Sequence, residues 1–212
     1  MCDSAAEIAA QESGVPVSVL KAVALTESGR TRNDTHSAWP WAVNVGGRGV
    51  WLNSAREAQA FVVATLADGK KNFDVGCFQI NYRWHHNAFS SLEQMLEPVA
   101  NARYAAKFLQ ELYAESGDWM QAVGRYHSRT PELAEKYTAR FSRNLARVLK
   151  VDDKGAELAS IDAAASTAQD RPPTRTNNFP FFRGGSAGKL GSLVPDGGKA
   201  PAAPLFDIDE TG

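Results

Sequence analysis

Apolar residues recur at helical spacing up to about residue 150 and lose that periodicity beyond it. Asp3 to Ser13 reads as a short Ala-rich helix, with Gly14 as its C-terminal stop. Pro16 stands where a second helix begins, with Val19, Leu20 and Val23 facing inward, and that helix runs out near Glu27-Ser28-Gly29. Ser54-Ala55-Arg56-Glu57 is a capping box opening a helix with Ala58, Phe61, Val62 and Leu66 inward, closed by Gly69. Between them, Val43 to Leu52 alternates around Gly46-Gly47-Arg48-Gly49, which predicts a small β-hairpin. Pro98 opens a helix with Ala102, Ala105, Leu109 and Leu112 inward and Gly117 at its end. Asp118 caps another helix, carrying Trp119 and Val123. Thr130-Pro131 starts the last, with Leu133, Tyr137, Phe141, Leu145 and Val148 on one stripe.

From residue 151 the chain turns to Ala, Gly, Pro, Ser, Asp and Thr, interrupted by Pro172-Pro173, Gly184-Gly185 and Gly197-Gly198. Such a segment buries too little apolar surface to offset its ordering entropy. Residues 1–150 are therefore expected to be one mainly α domain with a small β-hairpin. Residues 151–212 are expected to be a flexible tail, with 155–167 its one candidate helix. No internal repeat is found.

The 212 residues carry a formal net charge of −1, which offers no global attraction to nucleic acid or anionic lipid. No apolar run reaches the roughly 20 residues of a membrane span. The start Met1-Cys2-Asp3 shows no leader segment, as suits a cytosolic protein or a mature secreted domain behind an added Met. His36, His85, His86 and His127 lack metal spacing, and Cys2 and Cys77 form no C-x-x-C pair. Neither a metal nor a cofactor is expected.

Three segments carry candidate chemistry. Glu27 follows apolar Val23, Ala24 and Leu25. It is either a solvated helix-end residue, the commoner case, or a partly desolvated acid able to protonate a glycosidic oxygen. Asp74-Val75-Gly76-Cys77-Phe78-Gln79-Ile80-Asn81 is either a turn before a packed helix or a sugar-recognition loop. In the second reading Gln79 and Asn81 supply donors and acceptors for hydroxyls and acetamides. Asp74 itself reads as a turn residue. In Gly124-Arg125-Tyr126-His127-Ser128, Tyr126 is either a core tyrosine or a hydroxyl aimed at a carboxylate. His127 reads as structural rather than as a general base.

Glu27-Ser28, Gly76-Cys77-Phe78-Gln79-Ile80-Asn81, Asn101 opening a helix, and Arg125-Tyr126-His127 occur in that order. Together they resemble the motifs Glu-Ser, Gly-Leu-Met-Gln and Ala-Tyr-Asn of the family 1 soluble lytic transglycosylases, over roughly residues 1–149. The resemblance implies a lysozyme-like fold of the goose type and cleavage of peptidoglycan glycan strands. By position, Glu27 matches the catalytic acid and base, and Ser28 the residue that hydrogen-bonds near acid and substrate. Gln79 matches a sugar-binding amide, and Phe78 replaces a groove-lining Met. Asn101 matches the Asn behind the site, and Tyr126 the tyrosine whose hydroxyl approaches the carboxylate. Arg125 and His127 depart from Ala and Asn, and Cys77-Phe78 from Leu-Met.

Trp39-Pro40-Trp41-Ala42-Val43-Asn44-Val45-Gly46-Gly47 and Trp84-His85-His86 resemble the specialised transglycosylases of flagella and of type III and type IV secretion systems. Trp39 and Trp41 either stack on sugars or pack beside the hairpin.

The resemblance implies a non-hydrolytic cleavage with one carboxylate and a 1,6-anhydromuramoyl product. It also implies a periplasmic location, where an oxidising environment permits a disulfide; Cys2 and Cys77 are expected to pair and tie the N-terminus beside the active site, the alternative being two free thiols with Cys77 simply buried. A monomer is expected. The tail carries Phe179-Pro180-Phe181-Phe182 and Pro204-Leu205-Phe206, suited to docking on a flagellar rod or secretion component, or else is a spacer. The rival functions are a goose-type lysozyme hydrolysing the same bond, a non-catalytic wall-binding scaffold, and a cytosolic regulatory domain.

Overall fold

A computed structural model describes residues 1–152, so the first two residues of the expected tail belong to the last helix, while the rest of it, its helical stretch and its apolar islands lie outside the described residues. The helices begin and end where the caps predict. Helix α1 (Cys2–Ser13) stops at Gly14 in the left-handed region, and α2 (Val17–Ser28) starts after Pro16. Ser54 accepts from the Glu57 N–H at the head of α3 (Ala55–Ala67), while the Glu57 carboxylate reaches back to Asn53 N–H.

Two hairpins separate α2 from α3. Strands β3 (Ala42–Val45) and β4 (Arg48–Trp51) form the expected one, turning on Gly46 and Gly47 with φ of 60° and 85°. The other, β1 (Gly29–Arg32) with β2 (Thr35–Ala38), was not expected. It turns on Asn33 and Asp34 at φ of 49° and 59°, and its largely polar strands show no apolar alternation to betray it.

The segment after α3 contributes β5 (Phe73–Val75) and β6 (Ile80–Asn81), which extend the expected hairpin into an antiparallel sheet of order β4-β3-β5-β6. Asp74 is therefore a half-buried strand residue between Asn44 and Asn81, not a turn residue. Short α4 (Tyr82–His85), a 3-10 turn (His86–Ala88) and α5 (Leu92–Leu96) follow, too brief to show a period. The long α6 (Pro98–Ser116), α7 (Trp119–His127) and α8 (Pro131–Asp152) complete the domain.

Helix α2 is the axis of the fold. Nine of its twelve residues are buried, so it has almost no solvent face, the mark of a central helix. α1 and α8 both pack on it, while α6 packs on α1 and α7 bridges α6 and α8. Ala5, Ala6 and Ala9 are the buried small residues of α1. Among the described residues, no helix is long and apolar enough to cross a membrane.

Candidate active site

Glu27 stands one residue before the end of this buried helix, and its side chain is 1% exposed. The helix-end carbonyls there also disfavour a negative charge. Tyr137, on α8, donates its hydroxyl to Oε1 at 2.7 Å. Oε2 is buried and has no hydrogen-bond partner among the described residues. Burial pushes the carboxyl up from 4.5 to about 8, against the opposing pull of the Tyr137 bond and of Arg140, and with a smaller push from Asp74. A carboxyl in that state is protonated at neutral pH and has one oxygen uncommitted.

Beside Glu27 lies the turn Gly76-Cys77-Phe78-Gln79, held by residues of several elements. The Gly76 backbone has φ of 84°, and a Cβ there would stand 2.7 Å from the Asn101 side chain, so only glycine fits. Asn101, wholly buried on α6, accepts from Phe78 N–H at 2.9 Å and donates to the Val75 and Met95 carbonyls. Cys77 is bonded to Cys2 of α1, with Cα atoms 5.7 Å apart. Its carbonyl accepts from the Ser28 hydroxyl at 2.8 Å, directly after Glu27 in sequence. Gln79 adopts a φ of 47° and donates through Nε2 to the carbonyls of Gly76 and of Ala42 on β3.

The residues expected from sequence come together, with two corrections. The Tyr126 hydroxyl lies close enough to feel the charge of Glu27 but makes its hydrogen bond elsewhere, donating to the Phe78 carbonyl at 2.8 Å. The tyrosine that meets Glu27 is Tyr137, which the sequence shows only as part of an apolar stripe. The available signal was that a buried tyrosine needs a partner for its hydroxyl. Phe78 does not line a groove. Its side chain is wholly buried in the core, and its polar contacts, to Asn101 and Tyr126, are made by its backbone.

Gln79 and Asn81 lie where the sequence placed them, with their donors already engaged. Asn81 Nδ2 donates to Asp74 at 2.8 Å and to Asn72 at 3.0 Å. What remains without a partner among the described residues is one buried acceptor on each, Gln79 Oε1 and Asn81 Oδ1. Such atoms match the hydroxyl and acetamide donors of a sugar. Burial also raises Asp74, from 3.8 to about 7, against the Asn81 bond.

His127 lies flat against Tyr137, ring centroids 4.6 Å apart and planes within 5°. Burial, then the charge of Arg140, lowers it to about 4, so it is a neutral ring. Trp39 and Trp41 meet edge to face at 5.9 Å. Trp39 is further held by its Nε1 bond to the Leu52 carbonyl and by the Arg30 guanidinium above its ring. Among the described residues, no group of three or more His, Cys, Asp or Glu is placed to hold a metal.

The family model of the transglycosylase SLT domain matches residues 4–144, which takes in every residue of this site except Cys2. No curated protein and no solved structure matches the chain significantly.

Proposed function

The chain belongs to the transglycosylase SLT domain family, whose members are lytic transglycosylases acting on peptidoglycan, and on that premise we propose that Glu27 performs both proton transfers of a non-hydrolytic cleavage. The observation that carries this reading is the buried carboxyl held by Tyr137, protonated at neutral pH and with Oε2 uncommitted. Glu27 gives its proton to the oxygen between N-acetylmuramic acid and N-acetylglucosamine as the C1–O bond breaks. The N-acetylglucosamine chain leaves with a new hydroxyl, and the muramic acetamide steadies the charge at C1. The Glu27 carboxylate then takes the proton of the muramic C6 hydroxyl as that oxygen bonds to C1. A 1,6-anhydromuramoyl end forms and Glu27 is protonated again. The attack is intramolecular, which gains from proximity and needs no positioned water.

Ser28, Asn101 and Tyr126 hold the turn that carries Gln79 and Asn81, and the free acceptors of those two residues take the sugar's donors. The enzyme works in the periplasm. It opens the wall locally for an envelope-spanning machine, a flagellum or a secretion system, recruited through the apolar islands of residues 151–212. The segments around Trp39–Gly47 and Trp84–His86 support the machine assignment by their resemblance. Deleting 151–212 should abolish partner binding and localisation; unchanged localisation would contradict the recruitment.

Asp74 favours a second reading. It is half-buried, ionises only near neutral pH, and its charge is felt at Glu27. A second carboxyl of that kind is what hydrolysis of the same bond requires. Mass spectrometry of fragments released from purified sacculi separates the two. Anhydro ends, one water lighter than reducing ends, are expected; reducing ends that disappear in Asp74→Asn would establish the hydrolase instead.

A further inference from the structure

We propose that His127 is a positioning residue for the acid, acting through Tyr137: its ring, stacked flat on the tyrosine, keeps the phenol aimed at Glu27 Oε1. This rests on the assignment of Glu27 as the acid.

A phenol O–H lies near the plane of its ring, so the plane of Tyr137 sets where its hydrogen points. The parallel stack fixes that plane, and it blocks the swing about χ1 that would carry the hydroxyl away from Glu27. The two rings come from different helices, His127 from the last residue of α7 and Tyr137 from the second turn of α8. The stack therefore also sets where α8 sits against the site.

Arg140 on α8 also faces this stack, its guanidinium carbon 5.5 Å from the Tyr137 ring centroid. Arg140 lowers His127 and Glu27 alike. With the imidazole neutral, His127 adds no second positive charge beside Glu27, which would favour the carboxylate and deplete the proton donor. The residue acts as a flat, uncharged face.

The test compares His127→Ala, His127→Phe and Tyr137→Phe in the full chain, measuring release of soluble fragments from sacculi against pH. Loss of a hydrogen bond to an ionisable group costs roughly tenfold or more in rate. His127→Ala should lower kcat by about tenfold with KM within about twofold, because the contact acts only on the reacting carboxyl. The alkaline limb of its pH profile should move up, since the Tyr137 bond that holds the Glu27 carboxyl down is weakened. His127→Phe restores a flat neutral ring and should recover most of the activity. Adding His127→Ala to Tyr137→Phe should cost less than about threefold more, since both act on one bond.

Wild-type kcat and pH profile in His127→Ala would overturn the proposal, as would a His127→Phe no better than alanine, or full additivity in the double variant. If His127→Ala does not fold, His127→Leu, which fills the space without a flat face, takes its place with the same expectations. A failure of the Glu27 assignment is separate: it would appear as activity in Glu27→Gln, whatever the His127 variants do.

Discussion

Tyr137 and Glu27, 110 residues apart in sequence, share a 2.7 Å hydrogen bond between hydroxyl and carboxyl deep in the domain. The bond favours the carboxylate and so lowers a carboxyl that burial has raised. Tyr137→Phe removes it while keeping the ring. Glu27 should then titrate above about 8. Because the protonated form starts the reaction, the alkaline limb of kcat should move to higher pH. The rate itself should fall about 10- to 100-fold, because the second step needs a carboxylate held in place. A pH profile of fragment release from sacculi measures both effects.

The same burial makes stability depend on pH. Glu27 and Asp74 titrate at about 8 and about 7 when folded, against 4.5 and 3.8 ordinarily. Between the unfolded and folded values the unfolded chain has released protons that the native state still holds. Unfolding is favoured progressively across that window, so stability falls as pH rises from about 4 to about 8. Glu27→Gln should flatten the part of the slope between 4.5 and about 8, and Asp74→Asn the part between 3.8 and about 7. Denaturant midpoints at a series of pH values check this. A wild-type slope unchanged in both variants would show that these groups are not the source.

Asn101 joins α6 to the turn through one acceptor and two donors, all buried. Asn101→Ala leaves Phe78 N–H and two carbonyls to find other partners, at roughly 1–3 kcal/mol for each group left unpaired. Gly76→Ala brings a methyl against the same side chain and strains a φ of 84°. Both variants should lose several degrees of Tm by calorimetry and more activity than their remaining folded fraction explains. Loss in proportion to unfolding alone would reduce Asn101 to a packing residue.

The helix boundaries and the Gly46-Gly47 hairpin were legible in the sequence, because caps, prolines and alternating residues act locally. The β1–β2 hairpin carried only its Asn33-Asp34 turn as a signal, without apolar strands to frame it. Glu27, Gln79, Asn101 and Tyr126 could be picked from the family motifs, since those lie in short contiguous runs. The partners of those residues could not. Whether Tyr126 or Tyr137 meets Glu27 depends on how α7 and α8 pack against α2, a long-range outcome that no local pattern encodes. Asp74 looked like a turn residue beside Gly76, and only the pairing of β5 with both β3 and β6 places it on an inner strand.

The disulfide between Cys2 and Cys77 closes a loop across a sequence separation of 75. Constraining an unfolded chain over such a loop is worth on the order of 4 kcal/mol. Reduction, or Cys2→Ser with Cys77→Ser, should lower Tm markedly. It should also weaken activity, since Cys77 belongs to the turn that carries Gln79. Thermal unfolding with and without reductant, alongside intact mass to confirm two added hydrogens, is the measurement.

Glu27→Gln is nearly isosteric, keeps an oxygen for the Tyr137 hydroxyl, and removes the proton that the chemistry requires. Fragments from purified sacculi, quantified by mass spectrometry after treatment with wild type and with folded Glu27→Gln, test that proton most directly. Wild type should release anhydromuramoyl ends and the variant none above background. Anhydro ends from Glu27→Gln at the wild-type rate would contradict Glu27 as the acid and base.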